Sequence, residues 1–445
     1  MSFPIYDRGK KSVYTSKWDV QQDSKDNWLT TRLDALNYYK GRTREYVIDY
    51  FSDSTLAKSP VANINITKRI IDRVSLVYQV APKRDITNDL YVDMIHHKDE
   101  KLQRAERMAN LLELILIKPC WRNERMEYDI ITDFEPSFGD DPLEPIYFVY
   151  PLARRSEVMD NEPDLWAYWS DTEHFIFNKN DNDKKVPNDW DDVNPYGTMP
   201  LIPVFRDGKP ETAYMDTDAS IDLIQSNLAI NVASTTAMAN VLFQSFGFMY
   251  VSGEVDNKYL EVAPDKITRL QVDSTMGVVS PTDTITSIDE FIKSNYRLLA
   301  QNYHLSTSFV EGSEQAVSGE SLKVRNLELM ESRKSDVERW RNVETRLFEL
   351  EKIMISAHTG KDIGSLELVD FSESVEVLSD KEQRERDEWD LSKGLIDKID
   401  ILVRRNPDWT REDAEEYLAE RKKSEATVNV KGDTEDNIFK LGSRY

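Results

Sequence analysis

Cysteine is almost absent from the sequence, with Cys120 as the single thiol among 445 residues. One thiol cannot form an internal disulfide, so a disulfide-stabilised secreted scaffold is excluded and a reducing compartment is favoured. Long apolar runs are absent as well. The longest, at 111–117, contains Glu113 and is shorter than the ~18 residues of a membrane helix. The opening residues lack the apolar core of a signal peptide. We expect neither a membrane span nor a membrane partner.

The well-known catalytic motifs are missing too. The sequence has no phosphate-binding loop, no Gly-rich dinucleotide turn, no zinc-protease histidine pair and no nucleophile elbow. His96 and His97 are adjacent on a presumed helix, so their side chains point about 100° apart and do not easily share a metal. No base can be placed beside Cys120, which favours a buried structural thiol. We expect no enzyme, no cofactor and no metal site.

Basic residues are scarce relative to acidic ones: 57 Lys and Arg stand against 81 Asp and Glu, a net charge of −24. Proteins that hold DNA tightly are usually basic, so this balance disfavours tight non-specific binding. It is compatible with a surface along which DNA moves without sticking, and equally with simple solubility. The apolar content of 40%, with 9 Trp and 20 Tyr, is enough for a substantial core.

Apolar residues recur at helical spacing in the first part of the chain. Helices are predicted over about 26–51, 66–82 and 87–117, with Pro82 ending the second. The predicted inward positions of the first helix are Leu33, Leu36, Tyr39 and Tyr46.

The period then changes to that of strands. Short aromatic and β-branched segments, separated by turn residues, predict a sheet at about 124–178. The polar stretch 178–197 is predicted to be a loop or hairpin tip. A second set of short apolar segments, at 247–281, predicts a small compact β module, and alternation in "SLELVDFSESVEV" after Gly360 predicts a further strand.

Two helical stripes flank the β module. The first runs through 216–243 and the second through 284–304. Further helices are predicted at about 380–403 and 410–424, followed by a polar tail at 425–445. The inward positions of the two flanking helices are Ile221, Ile224, Leu228, Val232, Ile285, Ile288, Ile292, Tyr296, Leu299 and Tyr303.

The longest predicted helix begins at Ser318, whose hydroxyl can cap the first turn. Glu320 lies in that turn, where the helix dipole favours negative charge. Neither Pro nor Gly follows until Gly360. One apolar stripe and many charged residues predict a helix with one packed side and one side facing water or a polyanion. The stripe is formed by Val324, Leu327, Val337, Trp340, Val343, Leu347, Leu350 and Met354.

Several segments resemble, in a fixed order, the portal (head–tail connector) proteins of tailed bacteriophages. "ITKRIIDRVSLVYQVAP" at 66–82 resembles their early helix, which ends in a turn with proline. "NPYGTMPLIPVFRDG" at 194–208 is similar to the segment that leads from their wing sheet to the first stem helix. The β module at 244–283 stands where their clip is found.

Two later segments extend the resemblance over residues 61–425. "AVSGESLKVRNLELMESRK" at 316–334 resembles the opening of the portal tunnel helix. "LSKGLIDKIDILVRRNPDWTREDAEEYLAE" at 391–420 is similar to the closing helical pair. Ser321 and Asp397 depart from the family pattern, which more often has Ala and Ser or Thr at these places.

The resemblance implies an α+β fold with an α/β wing, a helical stem interrupted by a β clip, a tunnel helix and a C-terminal helical crown. The implied segments are an N-terminal arm or helical region 1–60, wing 61–215, first stem helix 216–243, clip 244–283, second stem helix 284–304, tunnel loop 305–317, tunnel helix 318–358, wing strand return 359–379, crown helices 380–424 and tail 425–445.

The resemblance also implies a function. Portal subunits form a ring, typically of twelve copies, at one capsid vertex, and double-stranded DNA passes through its channel during packaging and ejection. The implied partners are other copies of the chain, DNA, the large terminase, the major capsid and scaffolding proteins, and head-completion adaptor or tail proteins. The implied location is the virion, after assembly in the host cytoplasm. The terminase, not this chain, is expected to hydrolyse ATP.

The residues implied to act fall into four sets. The tunnel loop contains Leu305, Ser306, Thr307, Ser308, Phe309, Val310, Glu311 and Gly312. The tunnel helix starts at Ser318 and Gly319. Possible DNA-channel contacts are Lys293, Arg297, Lys323 and Arg325. The clip residues expected to dock the terminase are Gly253, Asp256, Lys258, Asp265, Arg269 and Asp273. Two alternatives stay open: another helical scaffold or adaptor protein, and an enzyme of an unfamiliar type.

Overall fold

Helices and several small sheets alternate along the chain, which confirms the predicted α+β class. The computed structural model describes residues 17–51, 60–88, 90–152, 165–178, 183–187, 191–211, 214–215, 219–246, 248–252, 275–279, 285–305, 327–371, 380–406, 409–419 and 421. The chain divides into two compact units. The first contains 1–315 and 325–374, and the second contains 316–324 and 375–445.

The first unit contains eight of the helices named here. They are α1 (Lys17–Tyr39), α2 (Arg44–Tyr50), α3 (Ile66–Val74), α4 (Leu90–Met94), α5 (Lys98–Leu112), α6 (Ile221–Phe246), α7 (Ile285–Asn302) and α8 (Leu327–Thr359). A short 3₁₀ turn lies at Val77–Gln79. We call α8 the long helix, since it has 33 residues.

The strands in the described part of the first unit form four antiparallel sheets. They are β1 (Lys83–Ile86), β2 (Leu114–Arg122), β3 (Arg125–Ile131), β4 (Glu135–Phe138), β5 (Pro145–Pro151), β6 (Leu165–Ser170), β7 (His174–Asn178), β8 (Lys184–Val186), β9 (Ile202–Phe205), β10 (Phe248–Ser252), β11 (Thr275–Val279) and β12 (Leu366–Asp370). The sheet orders are β3-β2-β9, β4-β5-β6-β7-β8, β1-β12 and β10-β11.

Strand β2 lies between two hydrophobic cores. Ile115 and Ile117 belong to a core formed with α3, α5, α6 and the long helix. Leu114 and Leu116 belong to a second core, on the opposite face, with aromatic residues of the five-stranded sheet. Successive side chains of a strand point to opposite faces, so a continuous apolar run suits a strand that is covered on both sides.

The predicted single helix over 87–117 is therefore wrong. Two helices, α4 and α5, occupy its first part, and the run from Leu114 onward is a strand. The helix ends at Glu113, which has left-handed backbone dihedrals (φ 63°) and whose N–H bonds to the Ala109 carbonyl. The β-branched residues that follow are stabilised by pairing with β3 and β9, which outweighs their place in a helical periodicity.

Other predictions need smaller corrections. Leu33 is exposed, and Ala35 and Tyr38 of α1 are buried in its place. Helix α3 ends at Val74, where the Ser75 hydroxyl bonds to the Ile71 carbonyl, and does not continue to Pro82. The predicted sheet at 124–178 is divided between two sheets, and the polar stretch 178–197 contains β8.

The second unit is helical in its described part. It contains α9 (Asp380–Lys393), α10 (Lys398–Arg405) and a helical segment at 411–419. The predicted continuous helix over 380–403 is interrupted at Gly394, whose φ is +69°. Asp397 caps α10 by a reciprocal pair of bonds with Asp400, so it performs the capping role expected of Ser or Thr.

Candidate functional site

Helices α6 and α7 form an antiparallel pair that carries a β hairpin at one end. α6 has 26 residues, which corresponds to about 39 Å, and leads into β10. β10 pairs in full register with β11, from Phe248↔Val279 to Ser252↔Thr275. After α7 returns, the Tyr303 hydroxyl donates to Asp222 Oδ1 in the first turn of α6, at 3.0 Å. The hairpin and this bond therefore mark opposite ends of one helix pair.

The end of the pair away from the hairpin is rooted in the main core. Leu223, Ile224 and Leu228 of α6 and Leu299 and Ala300 of α7 are all buried there. The inward positions Ile224, Leu228 and Leu299 were predicted from the helical stripe. Burying each such side chain contributes about 1.5–3 kcal/mol, so this end is held firmly.

A polar ladder on α6 adds a second attachment that the sequence analysis missed. Asn231 accepts from the Ile64 N–H at 2.7 Å and donates to the Ile64 carbonyl at 3.1 Å. Asn227 donates to Thr67 Oγ1 at 2.9 Å, and the Ala62 N–H donates to Thr235 Oγ1 at 3.0 Å. Residues four apart lie on one helix face, so Asn227, Asn231 and Thr235 together fix the first turn of α3 and the segment before it against α6.

Large apolar side chains remain uncovered on the same helix pair. Met238 and Val241 of α6 and Phe291 and Leu298 of α7 are each between 41% and 57% exposed. The α6 residues are three apart and the α7 residues seven apart, so each two lie on one face of their helix. Apolar surface of this kind marks sites of protein association when it is grouped.

The basic candidates on α7 lie on a different face from its exposed apolar residues. Lys293 and Arg297 are exposed and four residues apart. At 100° per residue they are about 100–160° around the helix from Phe291 and Leu298. Lys293 Nζ is 2.6 Å from Asp289 Oδ2, one turn earlier on α7. Its charge is therefore partly neutralised within its own helix.

The other predicted site residues lie mainly outside the described part of the chain. These are the clip set Gly253, Asp256, Lys258, Asp265, Arg269 and Asp273, the loop residues Ser306, Thr307, Ser308, Phe309, Val310, Glu311 and Gly312, and the helix-start residues Ser318, Gly319, Lys323 and Arg325.

Leu305, the first residue of the predicted tunnel loop, has a definite place. It is 7% exposed and belongs to the main core, and its N–H bonds to the Ala300 carbonyl at 2.7 Å. Leu305 is therefore an anchor at the end of α7 and does not form part of an exposed loop surface. The described part of the long helix begins 22 residues later, at Leu327.

A buried network of charged side chains fixes the long helix to the rest of the first unit. Lys98 Nζ lies 3.0 Å from Glu344 Oε2 and 2.9 Å from Glu351 Oε1. Arg84 also binds Glu344, at 2.6 Å. All of these side chains except Arg84 are almost fully buried.

Three tyrosines complete the network. Tyr78 donates to Glu344 Oε1 at 2.9 Å, and Tyr128 and Tyr91 donate to the two oxygens of Glu351 at 2.6 and 2.9 Å. Sequence reasoning placed all charges of the long helix on its exposed side and so missed Glu344 and Glu351. Their spacing of seven residues, on the face of the buried Leu347 and Phe348, was a signal that could have found them.

The electrostatics of the network favour the ionised pair. Burial alone would raise the pKa of Glu344, but Lys98 and Arg84 outweigh burial and lower it to about 2. Burial would lower the pKa of Lys98, yet the two glutamates raise it well above its ordinary value. Loss of any one of these contacts would leave buried charge undercompensated, so the network favours the arrangement in which all of them are made. Its role here is to position the long helix.

Neither the adjacent histidines His96 and His97 nor the thiol of Cys120 forms a reactive centre in the described residues. His96 and His97 lie between α4 and α5, not on a helix, because His97 has left-handed dihedrals (φ 53°) where α5 begins. No group of three or more His, Cys, Asp or Glu side chains within the described ranges could hold a metal ion. Cys120 is buried, as predicted, and burial raises the pKa of its thiol to about 11.

None of the described helices has both the length and the apolar character needed to cross a membrane.

Comparison with protein-family models and with curated proteins gives no match to this chain. The resemblance to portal proteins therefore rests on the quoted segments and their order, and any function must be argued from the geometry above.

Proposed function

We propose that the chain is the subunit of a portal ring, through which double-stranded DNA enters and leaves a bacteriophage capsid. The observation that carries this proposal is the antiparallel pair α6–α7, rooted in the core at one end and continued by the hairpin β10–β11 at the other. In the portal reading the pair is the stem and the hairpin belongs to the clip. The order of the elements along the chain, with the long helix after the pair, supports the same assignment.

Ring formation requires that two different faces of each subunit match each other. Met238, Val241, Phe291 and Leu298 supply exposed apolar area on the stem helices. In the proposed ring this area is buried against the stem of the next copy. The exposed face with Lys293 and Arg297 is then left for the channel or for a further neighbour.

The proposed mechanism is passive conduction of DNA. A chain with net charge −24 gives a ring whose channel repels the phosphate backbone over most of its length. Sparse cations such as Lys293 and Arg297 would touch the backbone weakly, without a tight site. The terminase would supply the ATP-driven force by docking at the hairpin end of the stem, and adaptor or tail proteins would later dock there.

Exposed apolar residues of the stem provide the test of assembly. The double substitution Phe291→Glu with Leu298→Glu places charges on the proposed contact and should reduce the ring to monomers, because buried unpaired charges cost several kcal/mol. Folding should be preserved, since both side chains are about half exposed. Sedimentation velocity measures the assembly, and circular dichroism checks the fold.

Leu368→Glu is the matched control, because Leu368 is a comparably exposed leucine on β12, away from the helix pair. This variant should assemble like the unchanged chain. Full assembly of the Phe291→Glu, Leu298→Glu protein would contradict the proposed stem contact. If the chain is instead a scaffold or adaptor protein that does not form rings, sedimentation should show no closed species for the unchanged chain or for either variant.

A further inference from the structure

A pocket of about 330 Å³ lies beside the long helix in the first unit. Its walls come from three elements: β5, the segment around β9, and one face of the long helix. The apolar part of its lining includes Phe148, Leu201, Val204, Phe205, Tyr214 and Val343. This volume accommodates one large apolar side chain with its backbone.

The charged residues of the pocket are mainly basic, although the whole chain is strongly acidic. Lys209, Arg339 and Arg346 line it together with a single carboxylate, Glu144. Lys209 is paired with Glu144, and Arg339 is paired with Asp336 at 2.9 Å. Arg346 is exposed and has no ion-pair partner within the described ranges. The pocket therefore has positive charge available for a ligand.

Tyr214 adds a buried polar group to the pocket. The residue is 3% exposed, and its hydroxyl has no hydrogen-bond partner among the described residues. Its ring packs edge-on against Phe205 and Phe138, so its position is fixed. Burial, then Glu144, raise the pKa of Tyr214, while Arg346 lowers it. The hydroxyl thus stays protonated near two charged pocket residues and can donate to a bound acceptor.

The spacing of the arginines indicates what kind of ligand fits. Arg339 and Arg346 are seven residues apart on one helix, which corresponds to about 10.5 Å along its axis. Two acidic side chains of one peptide match this spacing, one beside Arg346 and one beside Arg339, whose guanidinium also holds Asp336. From these observations we propose that the pocket is a docking site for an acidic segment of another protein. One phenylalanine-sized side chain of that segment enters the apolar part, and flanking carboxylates bind Arg339 and Arg346. This inference is independent of ring formation.

The test uses the full chain and a short fluorescein-labelled peptide in which one phenylalanine is flanked by glutamates. Fluorescence anisotropy should show saturable binding that weakens as salt is raised, because exposed ion pairs are screened. Arg346→Glu should weaken binding about tenfold, since it removes one attraction and adds one repulsion. Lys334→Glu makes the same charge change on an exposed residue of the long helix outside the pocket, and should leave binding unchanged.

Two control ligands separate the alternatives. A peptide with glutamine in place of glutamate, and one with alanine in place of phenylalanine, should each bind at least about tenfold more weakly. Equal binding of the glutamine peptide, no binding of the glutamate peptide to the unchanged chain, or equal loss with Lys334→Glu would overturn the proposal. Phenylpropionate binding as tightly as the peptide would also overturn it, by assigning the pocket to a small amphipathic anion.

Discussion

At the scale of single residues, Glu344 and Glu351 decide how the long helix is held. Both carboxylates lie on its buried face and share Lys98, and each accepts from at least one tyrosine. Such a network tolerates little change, because removal of one charge leaves the remaining buried charges only partly compensated. An apolar residue of the same shape at position 344 would fill the space, but it would leave Lys98 with one of its two neighbouring carboxylates, Glu351.

Glu344→Gln should therefore lower the free energy of unfolding by about 3–5 kcal/mol. The amide keeps the shape of the side chain but leaves Lys98 and Arg84 with one negative charge fewer. Urea unfolding followed by fluorescence measures the change. Glu349→Gln is the control, since Glu349 is exposed on the same helix and should change stability by less than about 0.5 kcal/mol. A cost below about 1 kcal/mol for Glu344→Gln would show that the network is not assembled as described.

The pH dependence of stability should depend on another buried carboxylate, Glu106. Burial raises its pKa to about 7, although N–H groups of Val77 and Tyr78 donate to it and favour its ionised form. A raised folded pKa gives a stabilising contribution that is complete below about pH 4.5 and is lost as pH rises to about 7. Glu344, with its pKa lowered to about 2, contributes above about pH 4.5 and loses that contribution at lower pH.

Glu106→Gln removes the contribution of Glu106 to the pH dependence of stability. The unfolding free energy of the unchanged chain minus that of the variant should fall by up to about 3 kcal/mol between pH 4.5 and pH 7. Denaturant unfolding at several pH values measures this difference. A difference that stays constant, or that grows with pH, would contradict the described burial of Glu106.

At the scale of elements, the junction between the long helix and β12 depends on Gly364. Its φ is +81°, and a Cβ there would come within 2.3 Å of Thr87 Oγ1. That hydroxyl already accepts from the Ser365 N–H at 3.0 Å, and Lys352 donates to the Gly364 carbonyl. The turn that starts β12, and hence the β1-β12 pairing, therefore needs a residue without a side chain.

Gly364→Ala should lower the free energy of unfolding by about 2 kcal/mol or more, because backbone strain and a steric overlap add together. Gly360→Ala provides the matched comparison. Gly360 also has a positive φ, +69°, but nothing lies within 4 Å of a Cβ placed there. It should cost only about 1 kcal/mol of backbone strain. Equal costs for the two substitutions, measured by urea unfolding, would show that Thr87 does not crowd Gly364.

How well each helix or strand could be predicted depended on the hydrophobic pattern in its sequence. The stripes of α6, α7 and the long helix were visible in the sequence because one face of each is apolar and the rest is polar. Strand β2 was missed because both of its faces are buried, which removes the period-two alternation and lets a helical reading continue through Leu114–Ile117. The pairing of β1 with β12 joins residues more than 270 positions apart, and no local pattern indicates it.

The site was less predictable than the fold for a related reason. Charged residues in a helix usually face water, so the predicted inward stripe of the long helix contained apolar residues alone and did not include Glu344 and Glu351. Asn227, Asn231 and Thr235 have the spacing of a helix face, but only the folded positions of Ala62, Ile64 and Thr67 show what they bind. The pocket beside the long helix joins residues from β5 to Arg346, and such long-range groupings depend on tertiary structure alone.

At the scale of the whole molecule, the proposed function requires each chain to be one subunit of a larger assembly. The helix pair α6–α7 exposes Met238, Val241, Phe291 and Leu298, and the proposed ring would bury this surface between neighbouring copies. In the proposed ring, an acidic chain would conduct DNA without a tight binding site, because the phosphate backbone would pass along a channel. Assembly is therefore the central claim on which the proposed function depends.

Native mass spectrometry of the purified full chain, followed by negative-stain microscopy of the same sample, tests this claim most directly. The account predicts one closed species of about twelve times the 51.7 kDa chain mass, seen end-on as a ring with an axial hole. Monomers or dimers at every protein and salt concentration, with no ring in the images, would contradict it.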